Sequence, residues 1–374
     1  MKRFGWLFFS AASAALLLLH LSCSKGDSAG NGGNNTGGDK DSVLVNIGNN
    51  IIIPSYLSLS TSTNALDSAI TDFNTDPSAP KLSAVQNLFK TAYMAFESAT
   101  EFEFGPDDSK KIFGLNLFPV ATARIDSNVV SGDINLDAFA NKSAKGFPAL
   151  DYLLFGSDNP TVLTWYTSDV LAANRKDYLA AVSAEIKTTA AAVLNAWIPQ
   201  GGNYVNTFIN SKGTSIGSAL GELINSVDQD FELLKNDRLG IPLGKQTLDV
   251  LQPQEVEAYY SGISSRLALI QLKAVQSIYL GTGAKGNRHG LSDYVVKANA
   301  QYNSGTLDAA IRNEMATAIL KLEAVPDPLS STIGTHTADV NAAYAEAQKL
   351  VVLLKTDMPS SLGVLITYAD NDGD

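Results

Sequence analysis

The sequence predicts an all-α protein built as two packed helical-bundle halves. From residue 50 onward, apolar residues recur at i, i+3, i+4 and i+7 almost without interruption, the period of a helix that buries one face. Turn-forming stretches separate these runs at 76–80, 105–106, 156–160, 199–202, 240–244, 281–290 and 326–334. No stretch keeps strand-like alternation between hairpin signals; Ser42 to Ile47 and Gly363 to Tyr368 extend locally at most. At 374 residues and 45% hydrophobic content, the chain is long enough for two cores.

The elements follow in order. Residues 1–22 read as a secretory signal peptide: Lys2 and Arg3, an apolar run from Phe4 to Leu19, then the small Ser22. Cys23, the only cysteine, stands where bacterial lipoproteins are cleaved and lipidated. A lone Cys also excludes an intrachain disulfide and a thiolate metal site. Residues 23–44, rich in Gly, Asn, Ser and Asp, cannot bury a core and read as a tether. Residues 45–374 then form the folded domain, divided into halves at 45–175 and 176–374.

Within that domain, Val85, Leu88, Phe89, Ala92, Phe96 and Ala99 make one helical stripe, and Tyr178, Val182, Ile186, Ala190, Val193 and Trp197 another. Further stripes run through Ile216, Leu220, Leu223, Val227, Phe231 and Leu234, and through Val256, Tyr260, Ile263, Leu267 and Ile270. Leu307, Ile311, Ala318 and Leu322, then Val340, Tyr344, Ala347, Val351 and Leu354, complete the set. Between the halves' first helices, Asp107 to Lys145 lacks periodicity and reads as a long irregular excursion, a kind of segment that is often functional when ordered.

The formal charge is −11, and loss of Lys2 and Arg3 leaves 25 basic against 38 acidic residues, or −13. Such a surface repels phosphate backbones and argues against a nucleic-acid partner. No apolar run after the leader approaches the roughly 20 residues needed to span a bilayer, so membrane association rests on the lipid at Cys23.

Few constellations offer chemistry. GTGAKGNRHG, which holds His289, contains a Gly-x-Gly-x-x-Gly string but lacks the preceding strand, and reads as a flexible helix connection. His336 and Asp339 are three apart at a helix start, where capping explains them without a metal. In EFEFGPDD and the residues before it, Glu97 and Glu101 are four apart, so that both project from one helix face and share an oxygen-liking cation; the alternative is a solvated acidic face. Glu103 reads as solvent-facing. Arg124 is the only basic residue between Lys111 and Lys142, a partner for carboxylates from elsewhere or an ordinary surface Arg. No Ser-His-Asp, Cys-His or His-Glu-x-x-His arrangement stands out, and helical periodicity denies a nucleophile elbow its sheet.

GFPALDYLLFG, residues 146–156, looks first like a helix start, with Pro148 suited to the first helical position and Asp151 in the first turn. It also resembles the imelysin family, whose signature is Gly-x-His-x-x-Glu followed by a Leu-Leu-Phe-Gly-like tail. NNIIIPSY (49–56), FESATEFEFGP (96–106), ARID (123–126), NAWIPQGGNYVNTF (195–208), RLGIPLG (238–244) and VEAYYSGISSRLALIQLKAVQSIYLG (256–281) carry the likeness onward, and LLKTDMPSSLGVLITYADNDGD takes it to the C-terminus. The resemblance implies an all-helical fold of two bundle-like halves with the signature near their junction, a peptidase label, and a place in bacterial iron uptake at the cell envelope. Gly146 keeps the family Gly, Pro148 stands for its His, and Asp151 for its Glu. Proline offers neither ligand nor proton-transfer group, while aspartate keeps a carboxylate on a shorter stem.

The expectation is therefore a lipid-anchored, extracytoplasmic imelysin-like protein on the outer-membrane, periplasmic or surface side. It acts as a non-catalytic binding component, with an iron or other divalent ion or haem as ligand, or an iron-transport protein as partner. Its expected site gathers Asp151, Glu97, Glu101 and Arg124, with Asp151 a ligand or the ion-pair partner of Arg124. The alternatives are a metallopeptidase that uses other ligands and a structural surface lipoprotein.

Overall fold

A computed structural model describes residues 41–368, which lie within one compact unit, Lys40–Asp374. The leader, Cys23 and the tether up to residue 40 fall outside the described residues.

The first helical rod joins α1 (Ser42–Asn46), a π-helical turn (Ile47–Ile52) and α2 (Ile53–Thr75). Asp41 caps it by accepting the Val43 N–H at 3.0 Å, and Val43 and Leu44 are buried, so the folded chain begins before the expected tether end at 44. The alternation of Val43, Val45 and Ile47 suggested an extended run, but the buried set Val43, Leu44, Ile47 and Ile51 is one helix face. The rod also meets the length and composition of a membrane span, contrary to expectation; 56% of its most apolar window is buried inside the domain, as in a core helix.

The second helix, α3 (Ala79–Glu97), starts with Pro80 in its first turn and buries Leu82, Val85, Phe89, Ala92, Tyr93 and Phe96. The excursion that follows is not structureless. It folds into α4 (Asp107–Lys110), a 3-10 turn (Ile112–Leu115), α5 (Thr122–Ser131) and a second 3-10 turn (Phe139–Ala144). Its helices are too short for a stripe to register; in α5 only Ile125 and Val129 make the apolar seam, beside the buried Asn128. Next come α6 (Gly146–Phe155), α7 (Asn159–Thr167) and α8 (Ala172–Trp197), whose expected stripe from Tyr178 to Trp197 is buried throughout. Since α8 packs lengthwise on α2, which also packs on α3, the division at 175/176 falls inside a helix of the first group.

After α9 (Tyr204–Asn210), α10 (Ala219–Leu233) runs directly into a second π-helical turn, Leu234–Gly240. Ile216 lies before this helix and is 70% exposed, not part of its stripe. Likewise α11 (Ser264–Leu280) starts later than the stripe from Val256 implied, because Ala258 and Gly262 have positive φ and hold 256–262 as a loop. Two hairpins of two-residue strands flank α12 (Leu291–Lys297): β1 (Thr282–Gly283) with β2 (Gly286–Asn287), and β3 (Gln301–Tyr302) with β4 (Gly305–Thr306). The 281–290 connection is therefore a hairpin instead of a flexible link. The chain closes with α13 (Leu307–Glu323), α14 (Leu329–Thr332), α15 (Thr337–Val351), a third π-helical turn (Val352–Asp357) and α16 (Met358–Leu362). Asn225 ties the last residues back to α10, donating to Leu365 O at 2.9 Å and accepting the Thr367 N–H at 2.6 Å.

Packing thus sorts into α2, α3, α6, α7 and α8 on one side and α10, α11, α13 and α15 on the other. Contact between α3 and α11 joins the two groups, and the candidate site lies along that seam.

Candidate functional site

At the seam, α3 ends at Glu97, and Thr100–Phe102 form a 3-10 turn. Glu97 and Glu101 therefore do not lie one turn apart on a common helix face, as expected from their spacing, and they meet different surroundings. Fully buried Glu97 accepts from Arg238 Nη2 at 2.9 Å; Arg238 also donates Nε to Glu257 at 2.7 Å. Asn116 Nδ2 bridges the two carboxylates, at 3.3 Å to Glu97 and 2.6 Å to Glu257, and Tyr93 donates its hydroxyl to Asn116 Oδ1 at 2.5 Å. Burial raises the Glu97 carboxyl well above its ordinary range, against the opposing charge of Arg238 and with the Glu257 carboxylate adding to the rise. Glu101 is also fully buried, with neither oxygen hydrogen-bonded, and burial followed by the nearby Asp230 raises it strongly.

Arg238 sits in the π-helical turn after α10, where an extra residue per turn re-aims side chains; Ile241 N–H reaches back five residues to Asn236 O at 2.8 Å. Glu257 comes from the loop before α11. That loop is held by the signature helix: both oxygens of Asp151 accept backbone N–H groups, from Tyr260 at 2.8 Å and Ser261 at 2.9 Å. Only 2% of Asp151 is exposed, and burial pushes its carboxyl up to about 6 in spite of these donors.

The other end of the signature acts on Asn116. Gly146 has φ +71°, and a Cβ there would lie 2.1 Å from the Leu115 carbonyl oxygen, so only glycine lets α6 approach the residue before Asn116. Pro148 occupies the third helical position rather than the first, within the turn whose N–H groups have no intrahelical acceptor anyway. Phe147 fixes the helix from inside, stacked on Tyr93 with ring centroids 4.8 Å apart. Through two loops, α6 positions both Asn116 and Glu257 around Arg238.

Two neighbouring cavities open here. One, of about 320 Å³, is lined by Pro148, Asp151, Tyr259 and Tyr260 among others. The second, of about 120 Å³, is lined by Arg238, Asp230, Asp237 and Glu103 with apolar walls, and the two share Phe118, Pro119 and Glu255. Glu103 is thus half-buried on a cavity wall, not solvent-facing, and burial together with Asp230 raises its carboxyl well above the usual value.

Arg124 is not brought to Asp151. Its Nε donates to Asn141 Oδ1 at 2.7 Å, because α5 faces the 3-10 turn Phe139–Ala144, and Arg238 supplies the guanidinium at the seam. His289 lies 2.7 Å from Asp293 and His336 3.1 Å from Thr335 Oγ1, both away from the site. Ser215, within Gly213–Gly217, spells Gly-x-Ser-x-Gly in an exposed loop before α10 with no strand ahead of it. Among the described residues, no group of three or more His, Cys, Asp or Glu is arranged to hold a metal ion.

Sequence reasoning missed Arg238, Glu257 and Asn116. A charge inside an apolar stretch was the available signal, since Glu257 interrupts the Val256–Tyr260 run and Arg238 sits within the apolar RLGIPLG.

The profile of the Imelysin (peptidase M75) family matches residues 52–356. Iron-regulated protein A of Synechococcus elongatus is 20% identical over 308 residues, covering 79% of each chain. Among solved structures, an iron-regulated protein A precursor from Parabacteroides distasonis aligns with a TM-score of 0.70 at 16% identity, over 87% of this chain and 97% of its own. An imelysin-like protein from Psychrobacter arcticum aligns with a TM-score of 0.66 at 17% identity, over 87% and 96%.

Proposed function

The chain belongs to the imelysin family, and we propose that it serves as a binding component of iron acquisition at the cell envelope, not as a peptidase. One observation carries this reading. At the signature position Pro148 has no side-chain ligand or base, and both Asp151 oxygens are occupied by the Tyr260 and Ser261 N–H groups. A metal does not fit there: Glu97 is paired with Arg238, Arg124 is bonded to Asn141, and Glu101, whose oxygens have no partner, sits on the separate turn Thr100–Phe102 with no group of three or more His, Cys, Asp or Glu placed to hold an ion among the described residues.

In this reading Cys23 carries the lipid, the segment after it spaces the domain from the membrane, and the cavities at the seam meet an iron-bearing ligand such as haem or an iron-transport partner. The family match, together with the iron-regulated names of the Synechococcus and Parabacteroides relatives, supports the link to iron. The test is equilibrium binding of ferrous iron, ferric iron, zinc and haem to the mature chain, run beside a turnover assay on unfolded protein substrates. Binding of an iron species without turnover is the expected result. A stoichiometric metal that chelation removes together with proteolysis would establish the metallopeptidase instead.

A further inference from the structure

The smaller seam cavity has an imbalance of charge that the Arg238 network does not relieve. Four carboxylates line it, those of Glu103, Asp230, Asp237 and Glu255, against one cation, Arg238. That guanidinium is already committed to Glu97 and Glu257. Glu103, Asp237 and Glu255 have no side-chain hydrogen bond or ion pair among the described residues. Asp230, only 7% exposed, accepts at Oδ2 from the Thr100 hydroxyl at 2.8 Å and from Gln271 Nε2 at 2.5 Å. Like charges gathered around one cavity repel one another, and a cation placed among them offsets that repulsion.

The form of the cavity decides the kind of cation. The carboxylates are spread around the space and do not converge as a metal cage would. The rest of the wall is apolar and aromatic: Phe96, Phe113, Leu117 and Phe118, with Phe113 49% exposed. Such walls suit a cation on an alkyl stem, whose charge also gains from the ring faces. The adjoining cavity beside Asp151 leaves space for the rest of the ligand.

We propose that this cavity binds an alkylammonium or guanidinium group, carried by a lysine or arginine side chain or by a small amine. The inference rests on the reading of the seam as a binding site, but not on iron. Burial and the nearby Asp230 raise the Glu103 carboxyl, and a cation entering the cavity favours its ionised form.

The experiment is calorimetric titration of the mature chain with agmatine, n-butylammonium, the neutral n-butanol, and the blocked peptide acetyl-Gly-Arg-Gly-amide. The two amines and the peptide separate a free small molecule from a side chain as the source. Expected are binding of the cations at least about tenfold tighter than n-butanol, and a loss of about tenfold or more in Glu103→Gln/Asp237→Asn, the scale of one charge-assisted hydrogen bond. Phe113→Ala, at the cavity mouth, weakens the cations while the remote Glu323→Gln leaves them unchanged. Failure of every cation to bind, equal affinity for n-butanol, or competitive displacement by zinc or manganese at lower concentration overturns the proposal. If iron species bind and amines do not, this inference falls while the wider reading of the seam stands.

Discussion

Replacing Arg238 by Met leaves two carboxylates that are 0% and 1% exposed, Glu97 and Glu257, without the guanidinium that serves both. Breaking a buried pair by removing one partner costs about 3–5 kcal/mol, because the remaining charge is left desolvated. Two remaining carboxylates place Arg238→Met in the upper part of that range at neutral pH. Arg238→Lys is not conservative here, since one ammonium cannot reproduce the two-pronged contact of Nε with Glu257 and Nη2 with Glu97. Adding Glu97→Gln and Glu257→Gln to Arg238→Met removes the stranded charges and restores most of the loss. The assay is urea unfolding at pH 7, comparing midpoints at constant denaturant slope. A cost below about 1 kcal/mol for Arg238→Met, or a triple variant no more stable than the single one, would refute the reasoning.

Three further outcomes follow from the seam. Asp151 has its folded pKa raised to about 6 from 3.8, so its contribution to stability is fully present below the unfolded value and is lost as pH rises through 6. The loss is on the order of 3 kcal/mol; unfolding midpoints from pH 4 to 7 should flatten in Asp151→Asn, whose amide also turns a donor toward one backbone N–H. Gly146→Ala combines a φ of +71° with a Cβ 2.1 Å from Leu115 O, and should cost about 2 kcal/mol or more in thermal unfolding; a neutral substitution would show that α6 does not press on Leu115. Phe147→Ala, which empties a fully buried site against Tyr93 and Phe96, should cost about 3–5 kcal/mol by denaturant unfolding; a cost under 1 kcal/mol would mean the site is not packed as described.

The long stripes of α3, α8, α13 and α15 were legible because each turn places a large apolar residue on one face, and those faces are the core. Where a stripe crossed a positive-φ residue, periodicity misled: Val256 and Tyr260 keep helical spacing, yet Ala258 and Gly262 bend the chain into the loop that delivers Glu257. The signature stretch was found through its resemblance, and its chemistry was readable in part. Nothing in the identity of Asp151 says that its partners are two backbone amides 109 and 110 residues away. Arg124 stands out in the sequence as the one basic residue between Lys111 and Lys142, whereas Arg238 has other basic residues close by at Lys235 and Lys245. Pairing over 141 residues with Glu97 depends on a π-helical turn that sequence spacing does not announce. Side-chain to backbone and side-chain to side-chain contacts of such separation are set by packing, and they make up most of this site.

The central claim is that the family's signature position here serves as a backbone clasp, with its ligand and base lost at Pro148 and its carboxylate turned to Tyr260 and Ser261. Ferrous iron titrated into the wild type and into Pro148→His/Asp151→Glu, side by side, tests it most directly. The account predicts a clear gain of affinity in the double variant, since an i, i+3 His-Glu pair restores two ligands on one helix face. Equal affinity in the two proteins, or tighter binding by the wild type, would contradict it.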